Sequence, residues 1–348
     1  MVKDKKERIL QKMFMAKIKQ KKQKIITPTL FDTSKKKKNH EFTFIDLFAG
    51  VGGTRLGFER AGGECVFTSE WDSSCQKTYQ ANFGELPYGD ITKIKETEIP
   101  AFDILIAGFP CQPFSSIGKR QGFMHATQGT LFYDVLRIIK GKKNKAFLLE
   151  NVGGLVTHDK GNTFKTILEA LDKVGYKVFY KILNAANYGV PQHRKRIYIV
   201  GFRRDLFKDE NIEFEFPEGT NNKDYINKYL EKDVKGYSIS THLQKNYLFK
   251  KKDGRPIIVD KNSKFQIKTL VSSYHKIQRL TGTFVKDGET GLRLLTEKEC
   301  KAIMGFPKNF IIPVSRTQMY RQMGNSVVVP VIEAVAKQMV KTLSKIKK

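Results

Sequence analysis

A chain of 348 residues with 40% hydrophobic content is long enough for one large or two medium domains and can bury a core, which excludes disorder throughout. No run approaches the roughly 18 consecutive apolar residues of a spanning helix, and the N-terminus opens on alternating charges, so the expectation is a cytoplasmic protein with no membrane partner. Lys and Arg outnumber Asp and Glu by 63 to 35, a formal charge of +28, which makes a polyanion such as nucleic acid the leading partner.

The first forty residues carry 14 Lys/Arg against 3 Asp/Glu, a net +11, with a few apolar positions at helical spacing and no sustained pattern. Residues 1–41 therefore read as a flexible basic arm. From Phe42 the character changes. Residues 44–48 predict a short strand, and Gly50, Val51, Gly52 and Gly53 turn the chain into a helix through Leu56, Phe58 and Ala61. The pattern repeats: strands at 65–68, 103–107 and 146–149, helices at 73–82, 131–140 and 163–174, then strands at 176–183 and 196–201. Such alternation predicts an α/β domain over 42–215 with a mostly parallel sheet covered on both faces, whose ligands bind beyond the carboxyl ends of the strands.

After about Asp205 the alternation stops. Residues 221–295 hold 16 basic and 7 acidic residues, a net +9, with isolated strand-like pieces at 256–259 and 269–273. Residues 216–295 read as a smaller, irregular domain. A helix over 296–304 and another over 331–343 would carry residues 296–348 back to the first domain.

The four cysteines, Cys65, Cys75, Cys111 and Cys300, have neither zinc-site pairing nor the density of a disulfide scaffold, so no metal is expected. A glycine turn after a strand admits a nucleotide-like cofactor close to the backbone, and Glu70 at the end of the next strand can bind ribose hydroxyls. That signal alone fits a plain tight turn as well, and it does not separate a dinucleotide from S-adenosylmethionine. In the run from Gly108 to Ser115, Pro110 and Pro113 flank Cys111 just after a strand, which stiffens the loop and fixes the thiol's direction. A nucleophile needs that positioning, although a buried structural cysteine could use it too. Glu150, Asn151 and Val152 follow the strand ending at Leu149, which would put a carboxylate over the edge of the sheet where Cys111 falls; the alternative is a surface glutamate capping the next loop. Between Gln192 and Arg196, Arg194 and Arg196 stand at the start of a strand, either aimed inward or part of a solvated basic run.

In this order the segments resemble the cytosine-C5 DNA methyltransferase family, most of all its small bacterial restriction-modification members. The resemblance spans residues 42 to the end: the 44–53 run, Glu70, Trp71 and Asp72, Gly89, Asp90 and Ile91, the Pro110, Cys111, Gln112 loop, the 129–132 run, Glu150 to Val152, Gln192 to Arg196, Arg293 with Glu299 and Cys300, and Gly324 to Val328. It implies a Rossmann-like S-adenosylmethionine-dependent methyltransferase fold with a target-recognition domain at 216–295.

The implied reaction swings the target cytosine out of a specific double-stranded DNA sequence and methylates carbon 5 from S-adenosyl-L-methionine, releasing S-adenosyl-L-homocysteine. By the same resemblance Cys111 would attack carbon 6, Glu150 would serve N3 and the exocyclic amine, and Arg196 would bind O2 with Arg194 supporting it. Phe48, Gly50, Gly52, Gly53, Glu70, Trp71, Asp90, Ile91, Pro110, Leu131, Asn325, Ser326 and Val327 would surround the cofactor. Gln112, Ser115 and Thr269 would meet DNA, and Arg293 would buttress the recognition domain. A monomer is expected, with a cognate restriction endonuclease acting separately. Amino-directed methyltransferases use a loop with paired prolines, and no Pro-Pro occurs here. The tRNA-methylating branch of the same fold carries Cys-Phe-Thr in its recognition region, whereas Cys300 is followed by Lys301 and Ala302. A non-catalytic DNA-binding protein of this fold is the remaining alternative.

Overall fold

The computed structural model describes residues 40–109, 131–220 and 222–346. Residues 1–39 of the basic arm and Pro110, Cys111, Gln112 and Ser115 lie outside the described residues. Strands β1 (Phe42–Leu47), β2 (Gly63–Ser69), β3 (Ile104–Ala107), β4 (Ala146–Val152), β5 (Tyr176–Asn184) and β6 (Lys195–Arg203) alternate with helices α1 (Gly53–Arg60), α2 (Ser73–Phe83), α3 (Leu131–Lys142) and α4 (Asn162–Lys173). They form one six-stranded sheet in the order β2-β1-β3-β4-β6-β5. Neighbours from β2 through β4 are parallel, while β6 runs antiparallel to both β4 and β5. The cause is connectivity: β5 turns into β6 without a crossover helix, so β6 must reverse.

Successive side chains of a strand point to opposite faces, and the central strands are apolar on both. Ile45, Leu47, Leu105, Leu149 and Ile199 pack with Phe132, Val135 and Ile138 of α3 and with Ile167 and Leu171 of α4. Phe44, Ile104, Ile106, Leu148 and Val200 belong to the opposite core, which also takes Phe58 of α1. Three further helices, α5 (Glu297–Ile303), α6 (Arg316–Asn325) and α7 (Val329–Leu343), follow residue 295. Val331, Ile332 and Val335 of α7 complete that second core, and Gly57 of α1 lies so near Ile332 that a side chain there would have no room.

Residues 222–295 add a two-stranded parallel pair, β7 (Ile257–Val259) and β8 (Thr283–Val285), and short helical turns such as Thr241–Leu243 and Gln244–Leu248, and their buried Ile226, Ile239, Leu248 and Phe284 join the α1/α7 core. Arg293 is wholly buried: it donates to both Glu299 carboxylate oxygens at 2.9 Å, to Asp287 at 2.8 Å and to the Glu231 carbonyl at 2.9 Å. Glu299 in turn completes a capping box with Thr296 at the start of α5.

Three local expectations change. Strand β4 continues to Val152 rather than ending at Leu149, because antiparallel β6 keeps pairing with it as far as Arg196. Residues 269–273 form no strand. Their neighbour Ile267 pairs once with Gln192, after which side chains rather than a strand take up the backbone groups of Leu270. Helix α6 has no counterpart in the predicted elements. Its apolar positions are only Met319, Tyr320 and Met323, too sparse for a periodic stripe, although Ser315 caps it by accepting from the Gln318 N–H. Among the described residues no helix is long and apolar enough to cross a membrane, and no group of three His, Cys, Asp or Glu could hold a metal ion.

Candidate active site

The glycine turn after β1 passes through left-handed backbone at Gly50 (φ +55°) and Gly52 (φ +85°), and Phe48 adopts the same region at φ +56°. A non-glycine residue there is strained, so the surrounding turn holds it in place. A side chain at Gly52 would strike the Phe83 ring, and one at Gly53 would come within 2.8 Å of Ser326 Oγ. At Gly50 it would meet nothing within 4 Å, because that position faces open space. Glu70, at the end of β2, receives the Gly50 N–H at 2.7 Å on one oxygen and the Asp72 N–H at 2.8 Å on the other. The carboxylate thus ties the first turn to the second. Each oxygen keeps a further lone pair for a hydroxyl. Burial raises its pKa above the ordinary glutamate range, against the pull of those N–H donors.

Beside it, Trp71 is 64% exposed with its ring unconfined, and Asp90 caps a short turn by accepting from Thr92 N at 3.0 Å and Thr92 Oγ1 at 2.8 Å. The turn without side chains, a carboxylate aimed at its mouth and an open aromatic surface fit a nucleoside-bearing cofactor.

Directly beneath, Asp46 is fully buried on β1 and accepts from Thr54 Oγ1 at 2.5 Å, which fastens the strand to the first turn of α1. Burial pushes its pKa up from 3.8 to about 7, and the Thr54 bond lowers it only in part. The fold therefore favours the protonated form, whose contribution to stability is complete below pH 3.8 and is lost as pH rises through about 7. An Asp46→Asn protein cannot titrate there, so its melting temperature relative to wild type should climb between pH 5 and pH 8. Parallel melting profiles across that range would contradict the assignment.

The second half of the site lies where β3, β4 and β6 meet. Glu150, inside β4, pairs with Arg196 of β6, Nε to Oε1 at 3.2 Å. Gly108, just past β3, presents its α-carbon to Glu150: a side chain there would sit 3.6 Å from Oε2. The Phe109 carbonyl is held by Asn151 Nδ2 at 2.9 Å, so the chain leading to Cys111 is fixed beside Glu150 up to residue 109. Desolvation raises the Glu150 pKa, opposed by Arg196 and then Arg194. Arg194 is 3% exposed and turns away from Glu150: Nη1 donates to the Leu270 carbonyl at 3.1 Å, and Nη2 donates to Gly324 at 3.0 Å and Ser326 at 2.5 Å. Burial lowers its pKa to about 10, so it stays charged at neutral pH.

Both halves open into one cavity of about 750 Å³, within the usual size of a ligand site. Its wall includes Phe48, Gly50, Gly53, Glu70, Trp71, Asp90, Ile91, Leu131, Glu150, Arg194, Arg196, Asn325, Ser326 and Val327, all predicted site residues. Gly52 sits behind the wall, and Thr269 is held outside it, its Oγ1 donating to the His193 carbonyl at 2.7 Å. The sequence reading missed Ser272, Ser273, His275 and Lys276 from the irregular 222–295 segment, and Gln318, Arg321 and Gln322 from α6. The second group had a signal, polar residues at i, i+3 and i+4 on one helical face. Gln322 also joins α6 to α2, accepting from Thr78 Oγ1 and donating to the Ser74 carbonyl, both at 2.9 Å.

Comparison with known proteins identifies the family. The family model for C-5 cytosine-specific DNA methylase matches residues 42–341. The Type II methyltransferase M.MspI of Moraxella sp is 62% identical over 298 residues, which is 86% of this chain and 70% of that protein. The Type II methyltransferase M.BsuFI of Bacillus subtilis is 61% identical over 303 residues, covering 87% and 73%. Among solved structures, a Spodoptera frugiperda DNMT2 mutant superposes with a TM-score of 0.69 at 23% identity over 87% of this chain and 99% of its own, a likeness of fold alone. With a mostly parallel sheet, the S-adenosylmethionine-dependent methyltransferase fold and a match over nearly all of its described length, the chain belongs to the C-5 cytosine-specific DNA methylase family.

Proposed function

We propose that this DNA cytosine methyltransferase works on a cytosine flipped out of a specific duplex sequence, with Cys111 as covalent nucleophile and S-adenosyl-L-methionine as methyl donor. The carrying observation is the shared cavity. The glycine turn with Glu70 and the Glu150–Arg196 pair open on the same space, so a nucleoside-bearing cofactor and a flipped base would lie side by side.

Carbon 5 of cytosine is a poor nucleophile. The Cys111 thiolate adds to carbon 6 and pushes the 5,6 double-bond electrons onto carbon 5, while Glu150 holds a proton at N3 and Arg196 steadies charge at O2. When bound, S-adenosyl-L-methionine would supply the electrophilic sulfonium methyl group for carbon 5, leaving S-adenosyl-L-homocysteine as product. Loss of the carbon 5 proton to a base then restores the double bond as the bond to Cys111 breaks and the thiolate leaves. Phe48, Glu70, Trp71, Asp90 and Leu131 would hold the cofactor, with Asn325, Ser326 and Val327 closing over it and Pro110 beside it. The remaining cysteines are poor candidates for the nucleophile: burial pushes the Cys65 thiol up to about 12 and raises Cys75 and Cys300 further.

In this reading residues 1–41 form a basic arm that touches phosphates without reading bases. Residues 216–295 read the target, with Thr269, Gln112 and Ser115 near DNA, and the 296–348 return completes the cofactor site. The likeness to two Type II methyltransferases supports a modification enzyme of a restriction-modification system; in this reading it works as a monomer in the cytoplasm and its cognate endonuclease acts separately.

The test is transfer of radiolabelled methyl groups from S-adenosyl-L-methionine to unmethylated plasmid, with tRNA alongside and the products digested to nucleosides. Label should enter duplex DNA as 5-methylcytosine. Label in tRNA, in N4-methylcytosine or in N6-methyladenine, or none at all, would overturn the proposal.

A further inference from the structure

Ahead of β6 the chain is laced to residues 267–276 of the recognition segment. The Ile267 N–H donates to the Pro191 carbonyl and the His193 N–H to the Ile267 carbonyl, both at 2.8 Å. Beyond that bridge the peptide groups of Leu270 are gripped from both sides by side chains two residues apart. Gln192, wholly buried, accepts the Leu270 N–H at 2.7 Å and donates to the Ile303 carbonyl at 3.2 Å, while Arg194 Nη1 donates to the Leu270 carbonyl at 3.1 Å. On the far side Gly324 lies against the Val271–Ser272 backbone so closely that any side chain there would overlap it. The same Arg194 guanidinium holds the Gly324 and Ser326 carbonyls.

A buried arginine kept for charge would hydrogen-bond a carboxylate; this one is fixed by main-chain carbonyls of two segments. It therefore defines position. Slipping residues 267–276 by one place would leave the buried Leu270 N–H and carbonyl without partners and take from the Arg194 guanidinium one of its three carbonyl acceptors, a cost that holds the register. Immediately after the grip, Ser272, Ser273, His275 and Lys276 reach the cavity shared with Glu150 and Arg196.

We infer that Gln192 and Arg194 are positioning residues that lock the register of residues 267–276 against the catalytic strand, so that discrimination of the target sequence depends on them. The inference rests on the reading of 216–295 as the DNA-reading segment. A positioning role differs from a phosphate contact, which weakens binding alike on every sequence.

The experiment measures kcat/KM on duplexes carrying the site found by sequencing plasmid methylated in cells, and on duplexes changed at one base pair. A mismatch ordinarily costs about 5- to 150-fold. Arg194→Lys keeps the charge but not the planar fork that spans two segments. It should shrink discrimination by about tenfold, and Gln192→Met should shrink it similarly. Should both variants fail to fold, the half-buried Thr269 carries the test: Thr269→Val should relax discrimination and Thr269→Ser should keep it. Equal losses on matched and mismatched duplexes for the folded variants would overturn the proposal. A His275→Ala, Lys276→Ala double variant separates the two readings. If it alone alters discrimination, the clamp falls; if it leaves discrimination at the wild-type ratio, the recognition reading fails and the clamp proposal with it.

Discussion

Replacing Glu150 by Gln should lower the single-turnover methylation rate by about 100- to 10,000-fold, the usual worth of general acid–base assistance, while DNA affinity changes far less. Gln keeps the shape of the side chain and some of its hydrogen bonding, but it has no transferable proton for N3. Burial raises the pKa of Glu150, and Arg196 at 3.2 Å restrains that rise without reversing it. The protonated carboxyl therefore persists to higher pH than on a surface glutamate. Wild-type rate should fall as pH climbs through that raised value, and the Gln variant should lack this limb. An unaltered single-turnover rate in Glu150→Gln would remove the residue from the mechanism.

The larger effect belongs to Cys111. Cys111→Ala should abolish turnover, because no other group is assigned to the attack on carbon 6. Binding should survive, since the residues proposed to hold cofactor and DNA are other side chains. Near-normal methylation by the Ala variant would mean that the nucleophile is elsewhere. Among the described cysteines Cys75 stands in the cavity wall, yet burial raises its thiol strongly.

Much of this arrangement was legible because it is local. The glycine turn announces itself through Gly50 and Gly52, which only a residue without a side chain fits well at positive φ, and Glu70 follows one strand later. The strands and helices between Phe42 and Arg203 carry strong periodicity, so only their ends shifted. What the sequence hid is long-range. The antiparallel partner that extends β4 past Glu150 comes from residues 196–202, and no local pattern records that pairing. Arg194 and Arg196 look alike as two arginines of one basic run. Their roles diverge because one meets the Leu270, Gly324 and Ser326 carbonyls and the other meets Glu150, contacts made by segments far along the chain. Helix α6 escaped notice for a related reason: its buried face is narrow, and its Gln and Arg side chains serve the cavity and α2 instead of a broad core.

The most direct test of the central claim uses duplex DNA with 5-fluorocytosine at the methylated position, incubated with the protein and S-adenosyl-L-methionine. Fluorine cannot leave carbon 5 as the proton does, so the cysteine–carbon 6 bond cannot be released after methyl transfer. The account predicts a denaturant-resistant protein–DNA adduct whose peptide map places the linkage on Cys111. An adduct on Cys65, Cys75 or Cys300, or no adduct under conditions where normal cytosine is methylated, would contradict it.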